Sequence, residues 1–400
     1  MSFRSNFVSL QPYIPDEPTG TQFPGLQPPG GSSVYRTGQR DLELAFGRLS
    51  PWYYQSVKEN MGPMIRSFLH IYGPDALVES LSDAYWFDCL AKILGLEKMG
   101  SGSTTVLTAV LRELLGYDDG VVIVGGKSLS AFRVPAELDQ VAYIFNLSSS
   151  QLGALKYSSR MTAKVDSAAI QDGFSLYQHV MAVSLHGKWS VVQQGRNLLS
   201  GMARRYHWSS LRIMETKSYV DTPHQGIVSD ILVDWVLDMT ARESAESRIA
   251  CVDLVKESPT KLKKFKRLAK EKGQTTLLDW VPSKQPPTST PRSLPLKTNW
   301  RLMERLNNLA PESFEQLLAV KGVGTATVRF LALTAEAIYG ASPSFTDPAM
   351  LEGEMEQSCR ERFFSELSCR LLESVRNASI PDGRKRVLLN RIGDCANLAG

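Results

Sequence analysis

Prolines fall in two clumps, and that uneven distribution decides how this chain divides. Residues 1–34 hold six prolines and four glycines, and 282–298 hold five more prolines among Ser and Thr, so these windows carry 11 of the 21 prolines. Proline lacks an N–H and fixes φ, so neither window can run as a regular helix or a central strand. The first reads as an extended tail and the second as an extended linker. A chain of 400 residues is long enough for roughly two to three cores, and the prolines place their borders.

The remaining stretches have distinct textures. Met64, Phe68, Ile71 and Tyr72 fall at i, i+4, i+7 and i+8, one helix face, and Thr104–Leu115 repeats that spacing up to Gly116. Ser80–Asp83 precedes an apolar run that stops at Gly95, a start and a stop signal for a helix. Val121–Val124 is β-branched and leads into Gly125-Gly126-Lys127. Leu176–Ser184 and Trp189–Gln194 flank Leu185-His186-Gly187-Lys188, the pattern of a hairpin. The expected fold class is α+β: a mostly helical chain with a small β-containing middle domain. The expected parts are a tail (1–34), a helical domain (35–117), an α+β domain (118–255), a basic tether with linker (256–298) and a helical C-terminal module (299–400).

Apolar residues make up 43% of the chain, which rules out wholesale disorder. No uninterrupted apolar run approaches the ~18 residues of a membrane span, so no membrane partner is expected. Five scattered cysteines without a C-x-x-C pair argue against a disulfide framework or a cysteine zinc site. A cytoplasmic, nucleoid-associated protein is expected. The net charge of +4 is too small to name a partner, but its placement is informative. Residues 256–272 hold eight Lys or Arg against two Glu, so this segment is +6 and the rest of the chain −2. Lys263, Lys264, Lys266 and Arg267 form its centre and are candidate phosphate contacts, though a charge run is also the ordinary solvated face of a helix.

The sharpest local pattern is Leu317-Leu-Ala-Val-Lys321-Gly322-Val323-Gly324-Thr325-Ala326-Thr327-Val328-Arg329. It resembles a helix-hairpin-helix motif. Glycines permit the tight turn, and the amides of the turn and of the second helix's first residues are then free to meet phosphate. Lys321, Gly322, Val323, Gly324, Thr325 and Arg329 are the candidate DNA contacts, against the plainer reading of an αα-hairpin. DNA glycosylases with this motif carry a catalytic Asp further on, at a distance broadly like that of Asp347. Some carry a Lys where Ala326 stands, so Schiff-base chemistry is not expected here. Asp347 before Pro348 also reads as a turn or cap residue.

After the basic run comes Gln274-Thr-Thr-Leu277-Leu-Asp-Trp280-Val281. It resembles the PCNA-interacting peptide, with Val281 where a second aromatic is usual. The resemblance implies a sliding-clamp partner, with Gln274, Leu277, Trp280 and Val281 as the contact residues on one side of a short helical turn.

The densest chemistry lies at Lys164, Asp166, Asp172, His179, Gln193, Gln194, Arg204, Arg205 and His207, within stretches running from Tyr157 to His224. With Arg40-Asp41, Tyr85-Trp-Phe and Ser103-Thr-Thr, these stretches resemble the uncharacterised prokaryotic family DUF763, over about 36–260 and again at the hairpin motif. The resemblance implies a middle domain coupled to a helix-hairpin-helix, and hence nucleic-acid work. Met99, Ser128, Ser184 and Arg196 depart from the family pattern. Three chemistries fit the cluster. Asp166, Asp172 and His179 would hold Mg²⁺ or Mn²⁺ for phosphodiester hydrolysis, with Lys164 or Arg204 on the developing charge. Alternatively an Asp would support base excision while Gln193 or Gln194 reads a flipped base. In the third reading the cluster only binds, with Arg204 and Arg205 on phosphates. Lys127, after Gly125-Gly126, is a further candidate DNA contact, although the full P-loop spacing is missing. The expected function is therefore a clamp-associated DNA repair nuclease or excision enzyme, or else a non-catalytic adaptor that links DNA to the clamp.

Overall fold

The β-branched run and the two alternating stretches of the middle domain lie side by side in one sheet. The computed structural model describes residues 36–38, 50–96, 99–272, 294–295, 297–350 and 369–397. The sheet holds six strands: β1 (Arg36–Gly38), β2 (Val121–Lys127), β4 (Ser175–Ser184), β5 (Trp189–Asn197), β6 (Met202–Ser209) and β7 (Gly226–Ser229). Their order is β1-β7-β6-β5-β4-β2. β1 runs parallel to β7, and the other neighbours are antiparallel. A separate ribbon pairs β3 (Ile170–Gln171) with β8 (Leu237–Asp238). The β4–β5 turn closes where the sequence places it, with Ser184 N–H on Lys188 O at 2.9 Å and Gly187 at φ +80°. Only Gly adopts that φ without strain.

Both faces of this sheet are covered, so its strands carry apolar residues on both sides. Side chains alternate across a strand. Val122, Met181, Val191, Tyr206 and Trp208 belong to one core, and Val121, Ile123, Val180, Ala182 and Val192 to another. The second core is closed by helices α1 (Pro51–Ser82), α2 (Ala84–Ile93) and α3 (Gly102–Leu114). Pro51 starts α1 where a missing N–H costs nothing, and Gly73 at φ +79° kinks it before Pro74. Asp83 caps α2 by accepting Trp86 N–H at 2.9 Å, and Gly95 follows its end at φ +78°. Trp86, Phe87 and Leu90 are fully buried on this side, each stabilising by roughly 1.5–3 kcal/mol.

The first core is closed by α4 (Val134–Ile144), α5 (Ser149–Lys164) and α7 (Ala245–Lys256), together with α9 (Trp300–Leu309), α10 (Phe314–Ala319) and α11 (Thr325–Tyr339). A short helix, α6 (Ser210–Thr216), follows β6. Residues 300–339 thus pack directly on the middle domain. The C-terminal stretch expected as one module divides here. Helical residues 369–377 (α12) and α13 (Asp382–Asn397) cross to the other side of the sheet, where Leu371, Val375, Leu388 and Ile392 join the α1–α3 core. Arg391 Nη1 donates to Ile93 O at 2.9 Å, and Arg384 pairs with Glu59 at 2.9 Å.

The basic run expected as a tether is a docked helix, α8 (Pro259–Lys272). Leu262 and Ala269 are buried against the core. Lys266 Nζ donates to Thr298 Oγ1 at 2.8 Å, and Lys263 lies 5.4 Å from the Trp300 ring centre. Lys264 and Arg267 face solvent. The tail at 1–34 and the clamp-like residues Gln274, Leu277, Trp280 and Val281 lie outside the described residues. No helix among the described residues is long and apolar enough to cross a membrane.

Candidate nucleic-acid interface

The polar residues that cluster in the sequence separate in space, because neighbours on a strand point to opposite faces. Across β4, β5 and β6, His179, Gln193 and Tyr206 align on one side, and Gln178, Gln194 and Arg205 on the other.

On the α5 side, Asp166 sits in a single π-helical turn (Val165–Ala169) that prolongs α5. Its Oδ1 accepts His224 Nε2 at 2.6 Å, and its Oδ2 accepts Gln193 Nε2 at 2.6 Å and Trp208 Nε1 at 3.0 Å. Gln193 Oε1 meets His179 Nδ1 at 2.9 Å, and His179 Nε2 meets Ser159 Oγ at 2.9 Å. With the Gln193 amide committed to Asp166, its carbonyl must accept, so His179 carries its proton on Nδ1. Burial pushes the Asp166 carboxyl above the usual carboxylate range and His179 below the usual imidazole range.

Beside it lies a charged knot. Asp172 accepts Phe174 N–H at 3.0 Å, Tyr206 OH at 2.5 Å and Arg204 Nη1 at 3.1 Å. Arg204 also holds Asp347 through both carboxylate oxygens, at 3.0 and 2.7 Å. Asp347 in turn accepts Val233 N–H at 2.8 Å and Ala349 N–H at 2.9 Å. Asp347, the residue at the glycosylase-like distance, is therefore an anchor that fastens the segment after α11 to the sheet.

The opposite face carries the third network. Arg205 pairs with Asp88 at 2.6 Å, gives its Nε to His207 Nε2 at 2.7 Å and lies 4.7 Å from the Phe87 ring centre. Gln194 joins Tyr177 OH at 2.5 Å and Thr104 Oγ1 at 3.3 Å. Burial, with the Arg205 charge beside it, pushes His207 well below the usual imidazole range. Of the nine candidate catalytic side chains, all but Lys164 are 7% exposed or less, so none of those eight can meet a substrate from outside. Asp166 and His179 are joined through Gln193, Asp172 is held separately by Arg204 and Tyr206, and the three do not converge as a ligand set. Among the described residues, no group of three His, Cys, Asp or Glu stands ready for a metal ion.

The Gly125-Gly126-Lys127 segment also differs from a phosphate cradle. Gly125 N–H donates to the Glu137 carboxylate at 2.7 Å, which would repel an anion. Gly125 is required for packing: at φ +86°, a Cβ there would lie 2.3 Å from His179 O. Lys127 is exposed at the sheet's end, 5.5 Å from the Tyr177 ring centre.

The glycine hairpin has two unlike sides. Gly322 takes φ +97°, and Val323 is buried between the helices. The carbonyls face the protein. Lys164 Nζ donates to Val320 O at 3.3 Å and to Val323 O, and Arg305 Nη2 donates to Lys321 O. Gln171 Nε2 donates to Thr325 O at 3.0 Å while its Oε1 accepts Arg329 Nε at 2.7 Å. Thr325 Oγ1 donates to Ser167 O at 2.9 Å. Lys164 and Arg329 are thus clamps on the hairpin. Burial, then the nearby Arg160 charge, pushes the Lys164 ammonium pKa down. The other side faces solvent: Lys321, Gly322, Thr325 and Ala326 are exposed. Gly324 is the N-cap of α11, and no side chain among the described residues caps it.

Lys164→Met is expected to loosen the hairpin from α5 by about 1–2 kcal/mol, the value of charge-assisted hydrogen bonds. Hydrogen exchange should accelerate at residues 320–328 and leave α2 unchanged. Uniform protection in wild type and variant would count against this clamp.

A groove of about 1080 Å³ opens beside the hairpin, between α5, α7 and α10. Val320 and Lys321 form part of its wall, together with Arg160, Lys217 and Tyr157. Its residues come from distant parts of the sequence, and of them only Lys321 is a candidate contact there. The one local hint was Arg160, four residues before Lys164 and so on the same side of α5.

Comparison with known proteins adds one relation. No curated protein and no solved structure matches the chain. The family model described as "Protein of unknown function (DUF763)" matches residues 38–353. That span takes in strands β2 to β8, helices α1 to α11 and the glycine hairpin, and on its strength the chain belongs to the DUF763 family.

Proposed function

We propose that this protein binds DNA through the exposed start of α11 in the 320–326 hairpin and acts as a non-catalytic adaptor between DNA and a sliding clamp. The observation that carries the reading is the hairpin's sidedness. Its carbonyls are tied inward by Lys164, Gln171 and Arg305, whereas the start of α11 is exposed and uncapped among the described residues. A helix start of this kind suits a phosphate, and Lys321 adds charge beside it. Such contacts hold the backbone and do not read sequence. The adaptor is favoured over a nuclease or excision enzyme because Asp166, Asp172, His179 and Asp347 are buried and already paired. The clamp arm rests on the Gln274–Val281 peptide alone.

Ala326→Asp tests the hairpin without weakening the fold, since an acid in the first turn of a helix is stabilising. The variant should bind a blunt duplex about tenfold more weakly, the loss of one charge-assisted contact. Wild-type affinity should fall steeply with salt, on the order of 10²-fold from 50 to 200 mM for about four phosphate contacts. Unchanged affinity in the variant, or a flat salt series, would remove the DNA reading. Trp280→Ala should abolish capture by the organism's clamp, and equal capture of both forms would remove the clamp arm.

A further inference from the structure

We infer that the groove between α5, α7 and α10 receives an unpaired DNA strand running off the duplex that the hairpin holds. The inference rests on the DNA reading above and goes further, to the class of DNA recognised.

Continuity is the first ground. Val320 and Lys321 belong both to the hairpin and to the groove wall, so a backbone leaving the hairpin amides enters the groove directly. Charge is the second. Several lining charges are already committed: Arg248 to Asp221 at 3.3 Å, Lys256 to Asp253 at 3.9 Å, and Glu315 to Tyr157 OH at 2.7 Å and Tyr219 N–H at 3.0 Å. Arg160, Lys217 and Lys321 are exposed cations with no ion pair among the described residues, against Glu312 as the acid in the same condition. The balance on the rim favours an anion.

The third ground is the apolar lining. Ile249 is 65% exposed and Leu309 38% exposed, both lining the groove with Phe314. Arg160 already stands 5.4 Å from the Tyr157 ring centre. A duplex presents phosphates outward and keeps its bases stacked inside, so it has no use for an apolar floor between cations. An unpaired strand offers both phosphates and base faces, and aromatic and arginine surfaces with a cationic border are the usual platform for one. The volume is also at the upper end for a small-ligand pocket, which suits a short run of nucleotides.

Full-length protein is titrated by fluorescence anisotropy into three probes: a blunt duplex, the same duplex with an eight-thymidine overhang on either end, and free single-stranded thymidine. Wild type should bind the better overhang about tenfold more tightly than the blunt duplex, the gain of one stacked base or more. R160E/K217E changes two exposed side chains. It should lose that margin while its blunt-duplex affinity stays within about twofold, since its hairpin phosphate contacts are intact. Equal binding of overhang and blunt duplex by wild type, or an unchanged margin in R160E/K217E, overturns the inference and leaves the hairpin reading standing. Failure of wild type to bind any probe removes both. Displacement of the overhang margin by polyglutamate at equal concentration would assign the groove to an acidic peptide and overturn the inference as well.

Discussion

Arg204→Met is expected to lower the unfolding free energy by about 3–5 kcal/mol, because removing one partner of a buried ion pair strands the other. Here one guanidinium serves two carboxylates. Arg204 bridges Asp172 at 3.1 Å and Asp347 at 2.7 Å, and all three side chains are 0–1% exposed. It also donates to Ile231 O at 3.2 Å and lies 4.6 Å from the Phe174 ring centre. Methionine fills similar space and covers the same ring, so the loss is chiefly electrostatic. Asp347→Ala should cost a similar amount and additionally free the Val233 and Ala349 amides. Urea unfolding followed by tryptophan fluorescence measures both. A change below about 1 kcal/mol, the ordinary value for an exposed pair, would mean that the knot is not closed in solution. A catalytic arginine would behave in the opposite way, losing activity with stability retained.

His207 makes the second large effect a matter of pH. Its ring is buried, accepts Arg205 Nε through Nε2, and is held neutral well below the usual imidazole range. In the unfolded chain it titrates near pH 6.5. Between that value and the lower folded one, the unfolded state binds a proton that the folded state refuses. Stability is therefore full above pH 6.5 and falls as the medium is acidified, by about 1.4 kcal/mol per pH unit. His207→Gln keeps an acceptor for Arg205 and removes the titration. The gap between wild type and variant should shift as the pH falls from 6.5 toward 4.5, by up to about 1.4 kcal/mol per pH unit, while carboxylates and His179 cancel in the comparison. Parallel stability curves across that range would refute the burial of a neutral imidazole.

Much of the architecture was legible because it is written in short-range patterns. The β4–β5 hairpin announced itself through alternating apolar residues around Gly187, and α2 through Asp83 and Gly95. The role of the cluster was harder to read. Gln193-Gln194 and Arg204-Arg205 are neighbours in sequence, yet strand alternation sends them to opposite faces, each under its own helical layer. Polarity looked like a site because both faces are buried, and buried polar side chains need one another. The basic run was read by its charge, although Leu262 and Ala269, seven residues apart, already marked a packed face. Nothing local tells α12 and α13 to cross the sheet, since that depends on which apolar surface remains open after the other helices have docked. The groove is assembled from loops and helices more than a hundred residues apart, as from Arg160 to Lys321, and no window of sequence contains it.

The return of α13 to α2 bears on how this protein can be dissected. A C-terminal fragment beginning at the proline linker would carry the glycine hairpin without the sheet that backs it. It would also present Leu371, Val375, Leu388 and Ile392 to water. Cutting instead after Tyr339 would strip that cover from the N-terminal helices, at roughly 1.5–3 kcal/mol for each such side chain. Helices α1–α3 and α12–α13 therefore close a single shell, and the last two helices cannot be trimmed as an appendage.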